Sequence, residues 1–466
     1  MLTYSFTNIG SDSLYQHLYK CIKNDIELGI LTPDMKLPSK RSFAKNLGIS
    51  TITVENAYYL LQSEGYIYSL PKKGFYISNI ANRVCETSLP DKKNTLVMDT
   101  EPTFNVDFAS NQTNPEQFPF SVWAKLMREV ISDQSSQLMI NSPSAGIYQL
   151  RHAICHHLKD FRNMNVSPEQ IIVGAGTEYL YGLLIQLLGR NNIYAVENPG
   201  YQKITQIYKS NQVSCQSVTL DHNGVCIDSL EAVHADILHI SPAHHYPTGI
   251  VTPIGRRYEL LGWASKETNR YIIEDDYDSE FRFMGKPIPT LQSIDVMEKV
   301  IYMNTFTKSL ASTIRISYMI LPQHLVAEFY NRLNFYSCTV SNFEQYTLTK
   351  FIQDGYFEKH INRTRNYYRN LRDQILLEIE KSPLSSIVTI SEKDAGLHFL
   401  MYVNTNLSDD ILVARAKQYG IRIRCLSHYY DSQTANQDHV IVLNYSGISP
   451  EHIKDSISRL TKAIID

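Results

Sequence analysis

Tyr302-Met-Asn-Thr-Phe-Thr-Lys-Ser-Leu310 is the stretch on which the reading of this chain turns, because Lys308 follows a strand-like start and lies seven residues before Arg315. Upstream, Tyr271-Ile-Ile-Glu-Asp-Asp-Tyr277 is a second apolar run that ends abruptly in carboxylates. Together they hold the three groups that pyridoxal phosphate chemistry needs. A lysine amine forms a Schiff base with the aldehyde, and an aspartate keeps the pyridine nitrogen protonated so that the ring acts as an electron sink. An arginine with hydroxyl neighbours, here Thr305 and Thr307, neutralises a phosphate. Most lysines are solvated surface residues; one set in Thr-Phe-Thr-Lys-Ser-Leu after a strand is not a random draw.

The 466 residues exceed one ordinary domain and imply two or three. A hydrophobic fraction of 43% and a charged fraction of 20% are those of a soluble globular protein. No apolar run approaches a membrane span of roughly 20 residues, and Met1-Leu-Thr-Tyr-Ser-Phe6 has no signal-peptide pattern, so a cytoplasmic location is expected. The seven cysteines (21, 85, 155, 215, 226, 338, 425) are scattered and contain no Cys-x-x-Cys, which fits reduced thiols. With a formal net charge of −3, any surface for nucleic acid must be local.

Residues 13–28 carry a helical period (Leu14, Leu18, Cys21, Ile22, Ile26) closed by Gly29. Ser39 caps a short helix over 40–47 that Gly48 ends, and Ser50 opens another. In that helix Val54, Ala57, Tyr58 and Leu61 form a buried face, leaving Thr51, Glu55, Asn56 and Tyr59 outside. Tyr66-Ile-Tyr-Ser-Leu and Gly74-Phe-Tyr-Ile-Ser78 alternate as a hairpin around Pro71-Lys72-Lys73-Gly74. This order, over residues 1–78, is a winged helix-turn-helix. Leu37-Pro-Ser-Lys-Arg-Ser-Phe-Ala-Lys-Asn-Leu-Gly-Ile-Ser50, continued by Glu64-Gly65-Tyr66-Ile67, resembles the GntR family of bacterial regulators. The resemblance implies that Lys40, Arg41, Ser50, Thr51, Thr53 and the wing lysines Lys72 and Lys73 lie at double-stranded DNA. One departure is Thr51 and Glu55 where GntR proteins often carry arginines; a carboxylate repels phosphate but accepts from a cytosine amino group. Residues 1–80 hold eight Lys/Arg against six Asp/Glu, a net of +2. The bland alternative is a helical interaction module with a solvated charged face. Residues 79–104, of mixed polarity with two prolines, read as a linker.

From 105 to 466, short apolar strands (171–173, 193–196, 237–240, 271–273, 300–303, 316–321) alternate with helical runs, an α/β pattern with a mostly parallel sheet. Ligands bind such sheets beyond the carboxyl ends of strands. This region resembles the fold-type I aminotransferases, and behind a GntR-like head the whole chain resembles the MocR family of regulators. The resemblance implies these roles: Lys308 carries the Schiff base, Asp275 partners the pyridine nitrogen, and Tyr277 sits near the ring hydroxyl. It also puts Arg315, Thr305 and Thr307 at the phosphate, with Gly176 and Thr177 of Gly174-Ala-Gly-Thr-Glu178 at a helix N-terminus, and Tyr201 against the ring. Among 31 tyrosines, Tyr201 reads equally as a core residue; Asp276 and Asp278 read as loop charges.

Two departures bear on activity. Active aminotransferases carry Asn-Pro-Thr-Gly where this chain has Tyr246 in Ser241-Pro-Ala-His-His-Tyr-Pro-Thr-Gly249, and an arginine that clamps the substrate carboxylate where this chain has Val442. Without that clamp a carboxylate is not oriented for proton transfer. Arg422-Ile-Arg-Cys-Leu-Ser-His-Tyr-Tyr430 resembles the region where GABA-responsive MocR proteins place an effector arginine; here Arg422, Arg424 and His428 are the candidates. The expected function is therefore a homodimeric, pyridoxal phosphate-binding transcription regulator, not an enzyme. Its signal is the cofactor itself, as in the PdxR group that controls vitamin B6 synthesis, or an amine or amino acid. The alternative is a working aminotransferase with a DNA-binding appendage. His152-Ala-Ile-Cys155-His156-His157 has metal-compatible spacing, but its helix is structural in the family and no metal is expected.

Overall fold

The computed structural model describes residues 2–6, 13–79, 104–110, 112–283, 288–394, 396–431 and 439–465. The chain divides into two units, Met1–Thr100 and Glu101–Asp466. The linker expected at 79–104 lies, apart from its end residues, outside the described residues.

In the first unit, helices α1 (Leu14–Glu27), α2 (Lys40–Leu47) and α3 (Thr51–Ser63) precede a hairpin of β1 (Ile67–Leu70) and β2 (Gly74–Ile77). Ser39 Oγ accepts from the Ser42 amide at 3.2 Å and Ser50 Oγ from the Thr53 amide at 3.1 Å, so both short helices start on satisfied caps. Gly48, at φ +68°, ends α2 in the left-handed region that glycine tolerates. Leu18, Ile22, Phe43, Val54, Ala57, Tyr58 and Leu61 close one core with Ile67 and Ile77 of the hairpin. The antiparallel register pairs Ile67 with Ile77 and Leu70 with Gly74. This is the expected winged helix.

After a two-residue strand at Val106–Asp107 and helices at Phe120–Asp133 and Ser135–Leu138, the second unit runs through α4 (Tyr148–Arg162), β3 (Ile171–Gly174), α5 (Thr177–Leu188) and β4 (Ile193–Asn198). It continues through α6 (Gln202–Ser210), β5 (Ser214–Asp221), β6 (Gly224–Val225), β7 (Ile237–Ile240), α7 (Ile254–Ser265) and β8 (Tyr271–Asp275). Then come β9 (Val300–Thr305), α8 (Phe306–Ser309) and β10 (Ser317–Ile320). The sheet order is β3-β10-β9-β8-β7-β4-β5-β6. Strands β9, β8, β7, β4 and β5 run parallel, while β10 is antiparallel to both β9 and β3. Consecutive residues feed opposite faces, as the two-residue period requires. Ile273 and Ile301 pack with Leu180 and Met319, whereas Ile272 and Val300 pack with Leu260 and Trp263 of α7. Sequence reading missed β5, whose Ser-Cys-Gln-Ser-Val-Thr-Leu-Asp has no apolar run.

The C-terminal part adds α9 (Tyr356–Lys381), β11 (Val388–Ser391), β12 (His398–Val403), α10 (Asp409–Gln418), β13 (Val440–Asn444) and α11 (Ile453–Ile465). Its three antiparallel strands, in the order β11-β12-β13, place Leu400 opposite Val442. Phe399, Met401, Ile441 and Leu443 face the helices, and the alternate residues Leu400, Val440 and Val442 face Tyr429 and Leu426. Among the described residues no helix is long and apolar enough to cross a membrane.

Candidate functional site

The carboxyl ends of four parallel strands meet at one cavity. Glu197 comes from β4, His239 from β7, Asp275 from β8 and Thr305 from β9. Of the residues expected at the cofactor, Thr177, Tyr201, Asp275 and Tyr277 line this cavity, and so do Thr305, Thr307, Lys308 and Arg315. Gly176 stands just behind it. A Cβ built there would lie 2.4 Å from Arg315 Nη2, and its φ of +92° disfavours other side chains, so the glycine is what lets the guanidinium approach.

The run Glu274-Asp275-Asp276 separates by strand alternation. Glu274 is fully buried, accepts from the Leu291 and Gln292 amides at 2.8 and 3.0 Å, and is pushed up to about 7 by burial. Asp276 turns to Arg162, whose Nη2 donates at 2.6 Å, and to the Tyr302 hydroxyl at 2.7 Å. Asp278 pairs with His244 Nδ1 at 2.8 Å. Only Asp275 of these four carboxylates lines the cavity. Its Oδ2 accepts from the Tyr181 hydroxyl at 2.6 Å and lies 3.6 Å from His239 Nε2, while Tyr208 holds His239 Nδ1 at 2.7 Å. Its Oδ1 is buried with no hydrogen-bond partner among the described residues. A buried carboxylate oxygen left in that state is costly, and a protonated ring nitrogen supplies the donor it lacks.

Lys308 is 8% exposed, on the four-residue helix α8 directly after β9. Burial pushes its amine down to about 7, against the opposing pull of Asp278. Thr305 Oγ1 donates to Thr307 Oγ1 at 2.9 Å and accepts from Ser317 Oγ at 2.8 Å, which fixes both hydroxyls beside the lysine. Arg315 Nη2 lies 3.4 Å from Glu178 Oε1, which also pairs with Lys203. Tyr201 is half exposed and meets Tyr246 edge-on, with ring centroids 6.0 Å apart. The Tyr277 hydroxyl lies 3.3 Å from His244 Nδ1. Sequence reasoning missed Tyr181, Lys203 and His239. Tyr181 was within reach, since it stands one turn after Thr177, and so was His239, the one polar residue in Ile237-Leu-His-Ile240.

The residues suggested for an effector are not brought to the cavity. Arg422 pairs with Asp107 at 3.6 Å, Arg424 stacks over the Tyr429 ring at 5.3 Å, and His428 Nε2 meets Asp410 at 3.2 Å. Each is held by its own neighbour, Asp107 far upstream in the first case, and His428 lines a pocket that shares Glu197 and Thr205 with the cavity, which the local motif alone did not reveal. Val442 is buried among Leu400, Leu426 and Tyr429. Above it the Tyr246 and Tyr429 hydroxyls are 2.6 Å apart, so an aromatic pair stands at the cavity wall. The histidines of α4 do not converge either. His157 packs between Phe161 and Phe357, His152 and His156 meet edge-on, and no metal-ligating cluster forms among the described residues.

On the first unit, Arg41, Lys45, Lys72 and Lys73 are exposed. Lys40 is otherwise engaged: its Nζ pairs with Glu55 Oε1 at 2.6 Å and lies over the Phe75 ring at 5.3 Å. Ser50 and Thr53 hydroxyls bond each other at 2.8 Å as part of the cap. Thr51 stays exposed.

Residues 14–77 match the family of bacterial regulatory proteins named gntR. Along nearly its whole length the chain is similar to transcriptional regulators. It is 35% identical over 453 residues to the HTH-type regulator YdeL of Bacillus subtilis, covering 97% of this chain and 96% of that one. It is 28% identical over 466 residues to the probable rhizopine catabolism regulatory protein MocR of Rhizobium meliloti, covering 97% and 94%. The chain belongs to the MocR family. Its members include the pyridoxine biosynthesis regulator PdxR of Corynebacterium glutamicum, 27% identical over 452 residues, with 97% of this chain and 96% of that one covered. The second unit of this MocR-family regulator has the fold of fold-type I aminotransferases. The multiple substrate aminotransferase of Thermococcus profundus superposes with a TM-score of 0.69 at 22% identity, covering 83% of this chain and 98% of the enzyme.

Proposed function

We propose that this transcription regulator binds pyridoxal 5′-phosphate in the cavity at the strand ends, and that loading of the cavity sets the affinity of its winged helix for promoter DNA. The observation that carries the reading is Asp275. It is buried, oriented by Tyr181 and His239, and keeps one oxygen without a donor in the cavity that also holds Lys308 and Arg315. When bound, the cofactor supplies an aldehyde and an electron-withdrawing ring. The chain's residues do the rest. Lys308 offers an amine that burial keeps about half neutral at pH 7. Asp275 holds a proton on the ring nitrogen, and Arg315 with Thr305 and Thr307 neutralises the phosphate. Tyr201 covers the mouth and Tyr277 stands near the ring hydroxyl.

The same wall argues for a sensor over an enzyme. Val442 stands where an aminotransferase's carboxylate-clamping arginine would be, and the guanidinium at that wall, Arg424, lies over the Tyr429 ring instead. Family resemblance adds a homodimer and paired half-sites on DNA. Coupling requires that the ligand bind two conformations with different affinity.

The test is fluorescence anisotropy of the full chain on its own upstream promoter DNA, with and without pyridoxal phosphate and with no amine present. A large cofactor-dependent change in affinity is expected; an affinity that ignores the cofactor rejects cofactor sensing and leaves an amine or amino acid as the signal. Lys308→Ala should fold and lose the visible absorbance, and an unaltered spectrum in that variant rejects the lysine assignment. Steady keto-acid production from a broad amino-acid panel would instead establish an aminotransferase.

A further inference from the structure

The outward face of α3 has a chemistry that folding does not explain. Ile52 is 69% exposed and Tyr59 is 70% exposed, although the opposite face of the same helix is fully buried through Val54, Ala57, Tyr58 and Leu61. Ile52, Asn56 and Tyr59 stand at i, i+4 and i+7, so they form one stripe. Among the described residues the Asn56 side chain makes no hydrogen bond, and the same unit exposes Arg41, Lys45, Lys72 and Lys73. A stripe of one aliphatic, one amide and one phenol, on a unit whose exposed arginine and lysines suit phosphates, has the chemistry that base edges in a major groove require.

Which bases follow by elimination. Guanine is read by Arg or Lys on its O6 and N7, and Thr51–Ser63 contains neither. Cytosine is read by a carboxylate on its amino group, and the carboxylate of α3, Glu55, is tied to Lys40 at 2.6 Å. What remains on the stripe is an amide, which pairs with adenine N6 and N7, and an exposed isoleucine, which suits the thymine 5-methyl group. We infer that α3 reads A·T pairs, with Asn56 on adenine and Ile52 on thymine, so that these two residues set the operator preference. The inference rests on DNA binding by the first unit, and it does not depend on the cofactor reading.

The experiment selects duplexes from a random-sequence library with the full-length protein at fixed salt, then modifies the selected duplex. Deoxyuridine in place of thymidine deletes the methyl; 7-deaza-adenine deletes the N7 acceptor. An A·T core is expected. Deoxyuridine at the contacted position should weaken the wild type roughly fourfold, the scale of one buried methyl, and leave Ile52→Ala unaffected. The deaza base should weaken the wild type on the order of tenfold and leave Asn56→Ala unaffected. Both side chains are exposed, so neither variant threatens the fold. A selected core of G·C pairs overturns the inference, and so does an A·T core whose modification affects wild type and variants alike, since that is readout of groove shape. A library from which nothing is enriched overturns DNA recognition itself, which separates the two failures.

Discussion

The titration of Lys308 gives the sharpest test of the cavity. An ordinary lysine near 10.5 is about 0.1% neutral at pH 7.5, whereas an amine pushed down to about 7 by burial is roughly three-quarters neutral. The reactive fraction is thus several hundred times larger, and its pH dependence moves with it. Capture of pyridoxal phosphate by the apoprotein, followed by visible absorbance in stopped flow from pH 6 to 10 and divided by the rate for Nα-acetyllysine, reports this ratio. The protein's own rate should rise up to about pH 7 and then flatten, so the ratio falls about tenfold per unit above it. A protein rate that keeps climbing in parallel with the reference to pH 9 refutes a desolvated Lys308. Linkage gives the same group a second readout. The folded pKa lies below the unfolded one, so between about 7 and 10.5 the unfolded chain binds more protons at this site. Its contribution to apoprotein stability is complete above about 10.5 and is lost as pH falls through that window. Lys308→Met removes the penalty of burying the charged amine, which wild type carries below this window, so the variant's advantage in stability should narrow as pH rises through it.

The consecutive acids should respond in opposite ways. Asp275→Asn is expected to weaken cofactor binding by about 1.5–3 kcal/mol, the scale of a hydrogen bond to a charged group, with little change in the urea midpoint. Arg162→Met leaves Asp276 buried without its cation and should cost about 3–5 kcal/mol of unfolding free energy; a loss below 1 kcal/mol would show that the pair is solvated. Gly176→Ala should push Arg315 aside and lower the affinity for pyridoxal phosphate and for inorganic phosphate alike, measured by calorimetry, while circular dichroism stays unchanged. On the DNA side, Glu55→Ala releases Lys40 and should steepen the salt dependence of binding by about one unit of slope, whereas Arg41→Ala should shallow it by about one. Equal slopes for both variants and wild type would remove these residues from the phosphate contacts.

Lys308, Arg315 and the threonines were legible because a short motif sets their spacing along one strand and one turn. The same held for the winged helix, where capping serines, Gly48 and a period of 3.6 all agree. What stayed hidden depends on contacts far along the chain. Whether Asp275 or Asp276 faces the cavity is decided by the phase of β8 and by Arg162, more than one hundred residues earlier. Tyr181 and His239 support Asp275 from two other elements, and no local pattern announces that. The pairing of Lys40 with Glu55 joins two helices and turns an expected phosphate contact into a partner for a carboxylate. Arg422 and Arg424 looked suited to an anion, yet Asp107 and Tyr429 occupy them. Strand β5 was missed because it lies toward the sheet edge with alternate residues exposed, where β-propensity and polarity disagree.

The wall opposite the phosphate grip decides what kind of signal the cavity accepts. An α-amino acid brings a carboxylate, and removing it from water costs several kcal/mol unless a cation meets it. In the cavity the cations are Lys308, Arg315 and Lys203; Arg315 and Lys203 already share Glu178, and Lys308 is kept near neutrality. Where a further cation would stand, the chain places Val442 in an apolar cluster beneath two bonded tyrosine hydroxyls. Glu197, on the same lining, is pushed up to about 8 by burial and offers no positive charge either. An anionic phosphate finds its arginine, whereas a second anion at this wall meets Val442, the tyrosine hydroxyls and an Arg424 already laid over the Tyr429 ring. On the proposed reading this wall favours the aldehyde cofactor, or an amine without a carboxylate, over an amino acid for as long as Arg424 stays on Tyr429.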